Sequence, residues 1–275
     1  MSSPTGEVED VITDVKKLVN DPVTLTEEAL VKILAGYNTE QLTAATDPDG
    51  NSVLVTTYGQ VSPDLFLDPS TGRVFRFDHR KRKITEVTEQ KQVLKEDIAK
   101  YRSAIATSLS SYIESNYKEG KCVTAVFGAD NGTVTVCISA KNVHLGNFWS
   151  VTGGWRSVFS LNVGKAGATE MKANVKINVH YFEDGNVQLN THVDKSVNIT
   201  VTSDEEATGK NIAVAIAQIE SEFQGQLEEM YVNMHRTTFK SMRRFLPVNR
   251  SPMIWNLAAH SLAGEVNDKD DKAKK

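Results

Sequence analysis

The stretch that decides the fold is KANVKINVHYFEDGNVQLNTHV, residues 172–193. Apolar and polar residues alternate in it on both sides of a turn at 183–186. The apolar positions are Ala173, Val175, Ile177, Val179 and Tyr181 before the turn, and Val187, Leu189, Thr191 and Val193 after it. Such alternation is typical of antiparallel strands that are buried on one face and solvated on the other. The pattern predicts a β-hairpin in a one-sided sheet.

Further strands are predicted on the N-terminal side of this hairpin. KCVTAVF (121–127) and GTVTVCISA (132–140) are β-rich and are joined by a short loop that contains Asn131-Gly132. SVLVTTY (52–58) and RVFRF (73–77) are separated by a strong turn signal at 68–72, and we expect them to form an earlier hairpin. The central sheet is therefore an antiparallel meander.

Three helical patterns precede the meander. Val8, Val11, Val15 and Leu18 recur at helical spacing, and a second helix begins at Thr24 with Glu27 as its capping partner. The second helix is expected to bury Leu30, Ile33 or Leu34, and Tyr37. A long helix follows the basic run 79–83 and ends near Gly120. Its apolar face comprises Leu94, Ile98, Tyr101, Ile105, Leu109 and Tyr112.

The apolar face of the sheet is expected to be covered by a helix that follows it. Ser203 and Glu206 form a capping box, and a helical pattern continues to Leu246-Pro247. Its stripe is Ile212, Ile216, Ile219, Phe223, Leu227, Met230 and Met234. About 40 residues of helix span roughly 60 Å, whereas five strands span only about 25 Å. Either Gly225 interrupts the helix or it also crosses a second subunit; we favour the second interpretation, which predicts an obligate dimer.

These patterns predict an α+β fold that behaves as one cooperative unit. N-terminal helices occupy 1–50, a β-hairpin and helix 51–119, and the antiparallel sheet, half of an intersubunit sheet, 120–201. A long helix packed across the sheet follows at 202–246, and a basic, amphipathic extension at 247–275.

Charge is strongly segregated along the chain. Residues 230–264 contain no Asp or Glu and carry +5, and the other residues carry −9, which together make the −4 of the whole chain. The five basic residues are Arg236, Lys240, Arg243, Arg244 and Arg250. Separated charge contributes little to folding, but it creates a field that steers an acidic partner. With Trp255 nearby, the segment is typical of a binding surface.

Other classes of function receive little support from the sequence. Neither a phosphate-binding glycine loop nor a Gly-x-Ser-x-Gly nucleophile motif occurs, and the six histidines have no metal-ligand spacing. We therefore expect neither an enzyme nor a bound metal or cofactor. His180 and His192 are interpreted as surface residues, and 79–83 as a solvated loop between strand and helix rather than a nucleic-acid site. Cys137 is interpreted as a buried strand residue.

Targeting features point to the cytoplasm. The first 20 residues include four acidic side chains, and no apolar run approaches the roughly 20 residues of a membrane span. Cys122 and Cys137 are too few for a disulfide framework, which favours a reducing compartment.

Three long motifs resemble one family. HYFEDGNVQL (180–189), NFW followed by WRS (147–157), and FKSMRRFLPVNRSPMIWN (239–256) closely resemble the alpha subunit of F-actin-capping protein. The resemblance covers nearly the whole chain, including FDH at 77–79. It implies a non-enzymatic heterodimer with a beta subunit, which binds the barbed end of an actin filament in the cytoplasm and blocks addition and loss of actin subunits there.

The resemblance also implies where actin binds. In the family, basic residues of the C-terminal extension contact actin, and the matching positions are Lys240, Arg244 and Arg250, with Trp255 as the aromatic residue and Arg243 beside them. The same residues suit anionic phosphoinositides as a further partner. Residues 257–264 lack the lysines that are usual in the family, so an apolar contact mode is an alternative there. A divergent, self-pairing regulator of actin assembly that binds actin or phosphoinositides is the alternative function.

Overall fold

The computed structural model describes residues 23–89, 94–118, 121–143, 152–182, 186–233 and 236. In them it contains three helices: α1 (Val23–Glu40), α2 (Glu96–Asn116) and α3 (Glu205–Asn233). The strands are β1 (Thr43–Thr46), β2 (Ser52–Val55), β3 (Gln60–Ser62), β4 (Leu65–Leu67), β5 (Val74–Asp78), β6 (Lys83–Thr88), β7 (Cys122–Gly128), β8 (Thr133–Asn142), β9 (Thr152–Asn162), β10 (Gly167–Phe182) and β11 (Asn186–Val201). The predicted α+β class is confirmed.

The central sheet is a five-stranded antiparallel meander in the order β11-β10-β9-β8-β7. Its longest hairpin joins β10 and β11, in which Val175 pairs with Val193 and Val179 with Leu189. The predicted hairpin at 172–193 is therefore confirmed, and the strands extend beyond it on both sides.

The two faces of the central sheet differ as the alternation predicts. On β10, Met171, Ala173, Val175 and Ile177 are buried, whereas Lys172 and Lys176 are exposed. Burial of these apolar side chains stabilises the folded state by about 1.5–3 kcal/mol for each larger one. We call the buried side the helix face and the other side the outer face.

Helices α2 and α3 supply the apolar residues expected of them. Ile98, Ile105 and Leu109 of α2 are buried, as are Ile212, Ile216 and Ile219 of α3. The helices approach closely at Gly209, where a Cβ atom would lie 2.8 Å from the carbonyl oxygen of Ala104. Tyr101 of α2 donates a 2.6 Å hydrogen bond to the carbonyl of Thr202, just before α3. The close approach explains why glycine occupies position 209.

The N-terminal strands differ from the single predicted hairpin. β2 pairs with β1, whereas β3, β4, β5 and β6 form a separate four-stranded sheet. The basic run 79–83 is the turn from β5 into β6, not a loop before a helix, and His79 is buried with 4% exposure. The prediction missed β6 because four of the six residues of KITEVT are charged or polar and all four are exposed.

Helix α1 presents a different face from the one expected. Leu30 and Leu34 are half-buried as predicted. Ile33 and Tyr37, however, are 67% and 54% exposed, whereas Asn38 and Thr39 are buried. Asn38 donates a 3.0 Å hydrogen bond to the carbonyl of His79, so its amide is satisfied inside the fold. The prediction that Tyr37 is buried was wrong because hydrogen bonding to the turn after β5 orients the end of α1.

Helix α3 begins and continues slightly differently from the prediction. Its N-terminal amides on Glu206 and Ala207 donate to the side chain of Asp204, not of Ser203. Gly225 does not interrupt it. The chain divides into two units, Met1–Ser221 and Glu222–Lys275. The predicted continuation of the helix to Leu246 and the first predicted helix, 8–18, lie outside the described residues.

Candidate interaction surfaces

The predicted actin-binding residues form one group of positions near the C-terminus. Lys240, Arg243, Arg244, Arg250 and Trp255 all lie outside the described residues, so their placement stays a prediction. Arg236 is the one basic residue of 230–264 that the structure describes, and its side chain is exposed. Exposure of this cation agrees with a solvated basic surface.

A buried carboxylate anchors α3 to the sheet. Glu220 is only 1% exposed, and its Oε1 accepts hydrogen bonds from Ser157 at 2.6 Å and from Trp155 at 3.1 Å. Its Oε2 accepts from Tyr112 at 2.6 Å and from Tyr117 at 2.8 Å. Four donors from α2, the residue after it and β9 therefore meet on one side chain of α3. We call this group the Glu220 cluster.

The groups around the Glu220 carboxylate resist losing their own protons. Burial and the nearby Glu220 carboxylate raise the pKa of the Tyr112 and Tyr117 hydroxyls well above their usual range. Burial and the same carboxylate raise the pKa of the Cys122 thiol to about 12. Both tyrosines thus remain protonated donors at neutral pH, as a buried acceptor requires.

Sequence reasoning missed the Glu220 cluster, although two signals were present. Glu220 follows directly on Ile219 and is four residues after Ile216, so it interrupts an otherwise apolar stripe. Trp155 and Ser157 belong to the WRS motif and alternate onto the helix face of β9. A charged residue within an apolar stripe indicates a buried partner set, because an unpaired carboxylate would be costly there.

The edge strand β11 presents a partly covered apolar row. Ile199 and Val201 are buried, but Val197, Val193 and Leu189 are only half-buried, although they lie on the same helix face. The same row also contains Thr191 and Lys195. β11 pairs only with β10 among the described strands, so no described strand occupies its other edge. An open edge beside uncovered apolar side chains is a template for association with another chain.

The outer face of the same hairpin is polar. Asn174 donates a 2.5 Å hydrogen bond to Asp194, and Asn178 donates to Asn190. His180 pairs with Gln188 and His192 with Lys176, so the two histidines are not direct cross-strand neighbours. Among the residues that the structure describes, no group of three potential ligands could hold a metal ion. No helix in the described ranges is long and apolar enough to cross a membrane.

Fold and surfaces together define a five-stranded antiparallel sheet, with β11 and β7 at its edges, that packs against the helices α2 and α3. The family model for the F-actin capping protein alpha subunit matches residues 1–265. The chain belongs to the F-actin-capping protein alpha subunit family.

Individual relatives agree with this assignment. The chain is 35% identical over 261 residues to the F-actin-capping protein subunit alpha of Caenorhabditis elegans, covering 93% of this chain and 90% of that protein. It is 34% identical to the protein of the same name from Dictyostelium discoideum, with coverage of 97% and 94%. The similarity therefore spans the chain from end to end.

A solved structure shares the fold. The homodimeric actin capping protein alpha subunit from Plasmodium berghei superposes with a TM-score of 0.74 at 22% identity, over 90% of this chain and 94% of that one. This likeness confirms the predicted fold class.

Proposed function

We propose that this chain is the alpha subunit of a barbed-end capping protein that blocks both addition and loss of actin subunits. The observation that carries the proposal is the full-length family match, supported by relatives with this name at 34–35% identity. The function is mechanical rather than enzymatic, and it places the protein on the cytoplasmic actin cytoskeleton.

The proposed actin contact is the basic extension with Lys240, Arg243, Arg244, Arg250 and Trp255. A cap must find one end per filament, and positive charge raises its rate of encounter with an acidic surface. Arginine adds planar, bidentate contacts to carboxylates, and a tryptophan supplies buried contact area. The same residues would attract anionic phosphoinositides, so lipid and actin are expected to compete.

The proposed partner is a capping protein beta subunit, which would add its strands at the edge of β11. Support comes from the half-buried row Leu189, Val193 and Val197 and from the open strand edge beside it. Helix α3 has 29 residues and is about 43 Å long, which exceeds the roughly 25 Å width of five strands. A second subunit would extend the sheet and cover this apolar row.

Self-association is the second candidate. The Plasmodium berghei relative is described as homodimeric, so an alpha subunit of this fold can pair with a copy of itself. In this chain the same β11 edge would then serve both copies by two-fold symmetry.

Elongation of seeded actin filaments at the barbed end tests the function. The chain alone and the chain co-expressed with a beta subunit are compared at equal concentration, with sedimentation to determine the assembly. Saturable inhibition by the heterodimer but not by the chain alone supports the first candidate. Inhibition by the chain alone, as a homodimer, supports the second. Removal of residues 240–275 should abolish inhibition while the dimer persists. A folded dimer of either kind that leaves elongation unchanged would contradict the proposal.

A further inference from the structure

A cavity with two basic side chains in its wall, Lys141 and Arg156, lies where the end of α1 meets strands of the central sheet. Its volume is about 420 Å³, within the size range of small-ligand sites. Tyr37 and Gln41 line it from α1, and Lys141, Arg156, Asn178 and His180 line it from the sheet. Besides two valines and two glycines, the described lining contains basic and neutral polar side chains but no Asp or Glu. The cavity is therefore built to receive negative charge.

Arg156 is the unusual member of the lining. It is 6% exposed, and its Nε atom has no hydrogen-bond partner among the residues that the structure describes. Its cross-strand neighbours are Ser139 on β8 and Lys176 on β10, neither of which is an anion. Burial of a guanidinium without a counter-charge is costly, and within the described residues no salt bridge offsets it. An external anion would supply the missing partner.

Lys141 is the second cation of the lining, and two other positive charges lie near it. Burial, followed by the charges of Arg82 and Arg156, lowers the pKa of its amine to about 8. A second cleft of about 290 Å³ lies on the other side of Lys141, with Lys121 in its wall. That cleft contains Ser139, whose buried Oγ also lacks a hydrogen-bond partner. Ser139 and Arg156 are direct cross-strand partners two residues from the Lys141–Gly154 pair, so the two unsatisfied polar groups lie next to each other and near this half-buried lysine.

Gly154 leaves open space between the two cations. A Cβ atom built there would lie 3.9 Å from Nη2 of Arg156 and 4.0 Å from Cγ of Lys141. No atom lies closer to it, so a Cβ atom fits at this strand position and a larger side chain would extend into the space beside the two cations. The site can consequently be blocked sterically while both charges are retained.

We propose that this cavity binds the phosphate group of a small molecule, held chiefly by Arg156 and Lys141. A phosphate monoester carries close to two negative charges, which match the two cations, and its oxygens can accept from a guanidinium fork and an ammonium together. Amides of Gln41 and Asn178 are available as further donors. The proposal concerns the outer face of the sheet and is independent of actin capping.

Calorimetric titration of pyrophosphate into the full-length protein tests the site. Arg156→Gln, Lys141→Met and Gly154→Leu should each weaken binding at least about ten-fold, as loss or obstruction of a charge-assisted contact does. The matched control is Lys172→Gln, which removes an exposed cation from the same face of β10 outside the cavity. Circular dichroism and thermal unfolding establish that each variant is folded. Gly154→Leu keeps the test decisive if Arg156→Gln does not fold.

The pH dependence of pyrophosphate affinity gives a second test of the site. Affinity should fall between pH 7.5 and about 9.5, because Lys141 loses its proton near pH 8. The other titratable or charged groups around it are Arg82, Arg156, Lys121, Tyr37 and His180. Lys141→Met should remove this fall, whereas Lys172→Gln should keep it.

Several outcomes would overturn the proposal. One is no heat of binding at millimolar pyrophosphate, and another is binding that Arg156→Gln and Gly154→Leu leave unchanged, which would place the anion elsewhere. A parallel arm uses vesicles that contain phosphatidic acid. Binding of both probes with the same variant pattern would extend the site to lipid headgroups, whereas binding of vesicles alone would refute a cavity for small molecules.

Discussion

Ser157 Oγ on β9 donates a 2.6 Å hydrogen bond to Glu220 Oε1 on α3, and both residues are at most 1% exposed. This bond joins the helix layer to the sheet layer at a polar point inside an apolar core. Three other donors complete the set, so the carboxylate is fully satisfied. Glu220 is therefore the polar contact that joins α3 to β9, beside the buried apolar residues of the helix.

Glu220→Gln should lower the free energy of unfolding by about 2–4 kcal/mol. The amide nitrogen of glutamine cannot accept the two hydrogen bonds that one carboxylate oxygen receives, and two buried donors would lose their partner. Chemical denaturation measures the loss. Glu228→Gln, an exposed change of the same type on the same helix, should stay within about 0.5 kcal/mol. Equal effects of the two changes would contradict an anchoring role for the Glu220 cluster.

Gly209→Ala and Gly225→Ala should have opposite effects on the free energy of unfolding. Alanine is normally better than glycine inside a helix by about 1 kcal/mol. At Gly225 nothing lies within 4 Å of a new Cβ, so the change should stabilise. At Gly209 the Cβ would lie 2.8 Å from a backbone oxygen of α2, so α2 and α3 must separate and stability should fall by about 1–3 kcal/mol. Thermal unfolding of both variants measures these effects. A stabilised Gly209→Ala variant would contradict the close approach of α2 and α3 at this position.

Val179→Asp and Val193→Asp should prevent dimer formation. Both positions lie on the helix face of the β10–β11 hairpin and are half-buried in the single chain, so a charge there opposes burial under a partner. Sedimentation and co-purification with a beta subunit measure the effect. Ser196→Asp, exposed on the outer face of β11, is the control and should leave the dimer intact. A dimeric Val193→Asp variant would place the interface elsewhere.

Lys240→Ala and Arg244→Ala should each weaken capping by about 1–3 kcal/mol, roughly 5- to 150-fold, without unfolding the protein. The loss should be larger at low salt, where screening is weaker. Barbed-end elongation assays at two ionic strengths provide the measurement. Lys210→Ala removes an exposed cation from α3 outside the basic segment and should change little. A similar loss from this control would mean that net charge, not the extension, governs capping.

Lys141→Met should change how stability depends on pH. The pKa of Lys141 is lowered to about 8 in the folded protein, whereas an unfolded lysine titrates near 10.5. Between these values the unfolded chain binds the extra proton, so Lys141 makes the wild type more stable as pH rises from about 8 to 10. Over this range the free energy of unfolding of the wild type should therefore rise relative to that of Lys141→Met. Lys172→Met, which removes an exposed lysine of the same sheet, is the control. A Lys141→Met variant whose stability follows the wild type at every pH would contradict the burial of this amine.

Local patterns predicted the central sheet well because strand alternation is a property of the sequence itself. The 172–193 hairpin, the apolar stripes of α2 and α3 and buried Cys137 all follow from periodicity and were confirmed. Pairing between distant strands was less predictable, and β2 joined β1 instead of β5. Many β-rich segments are chemically able to pair with one another, and only the packing of the folded chain selects which of them do so.

The candidate surfaces divide in the same way. Charge segregation and the family motifs indicated a basic extension at 240–255, and this remains a prediction outside the described residues. The Glu220 cluster and the cavity around Arg156 were not predicted, because each brings together residues that are far apart in sequence, such as Tyr112 with Glu220 and Tyr37 with Arg156.

The sequence by itself determined the α+β class, the solvated and buried faces of the β10–β11 hairpin, and the family. These depend on local periodicity, or on long motifs that are read along the chain. Only the tertiary structure decided which buried polar groups are satisfied. Glu220 meets four donors, whereas Nε of Arg156 meets none within the fold. Hydrogen bonding and desolvation depend on distances of a few ångströms between residues from different elements, and no one-dimensional pattern specifies them.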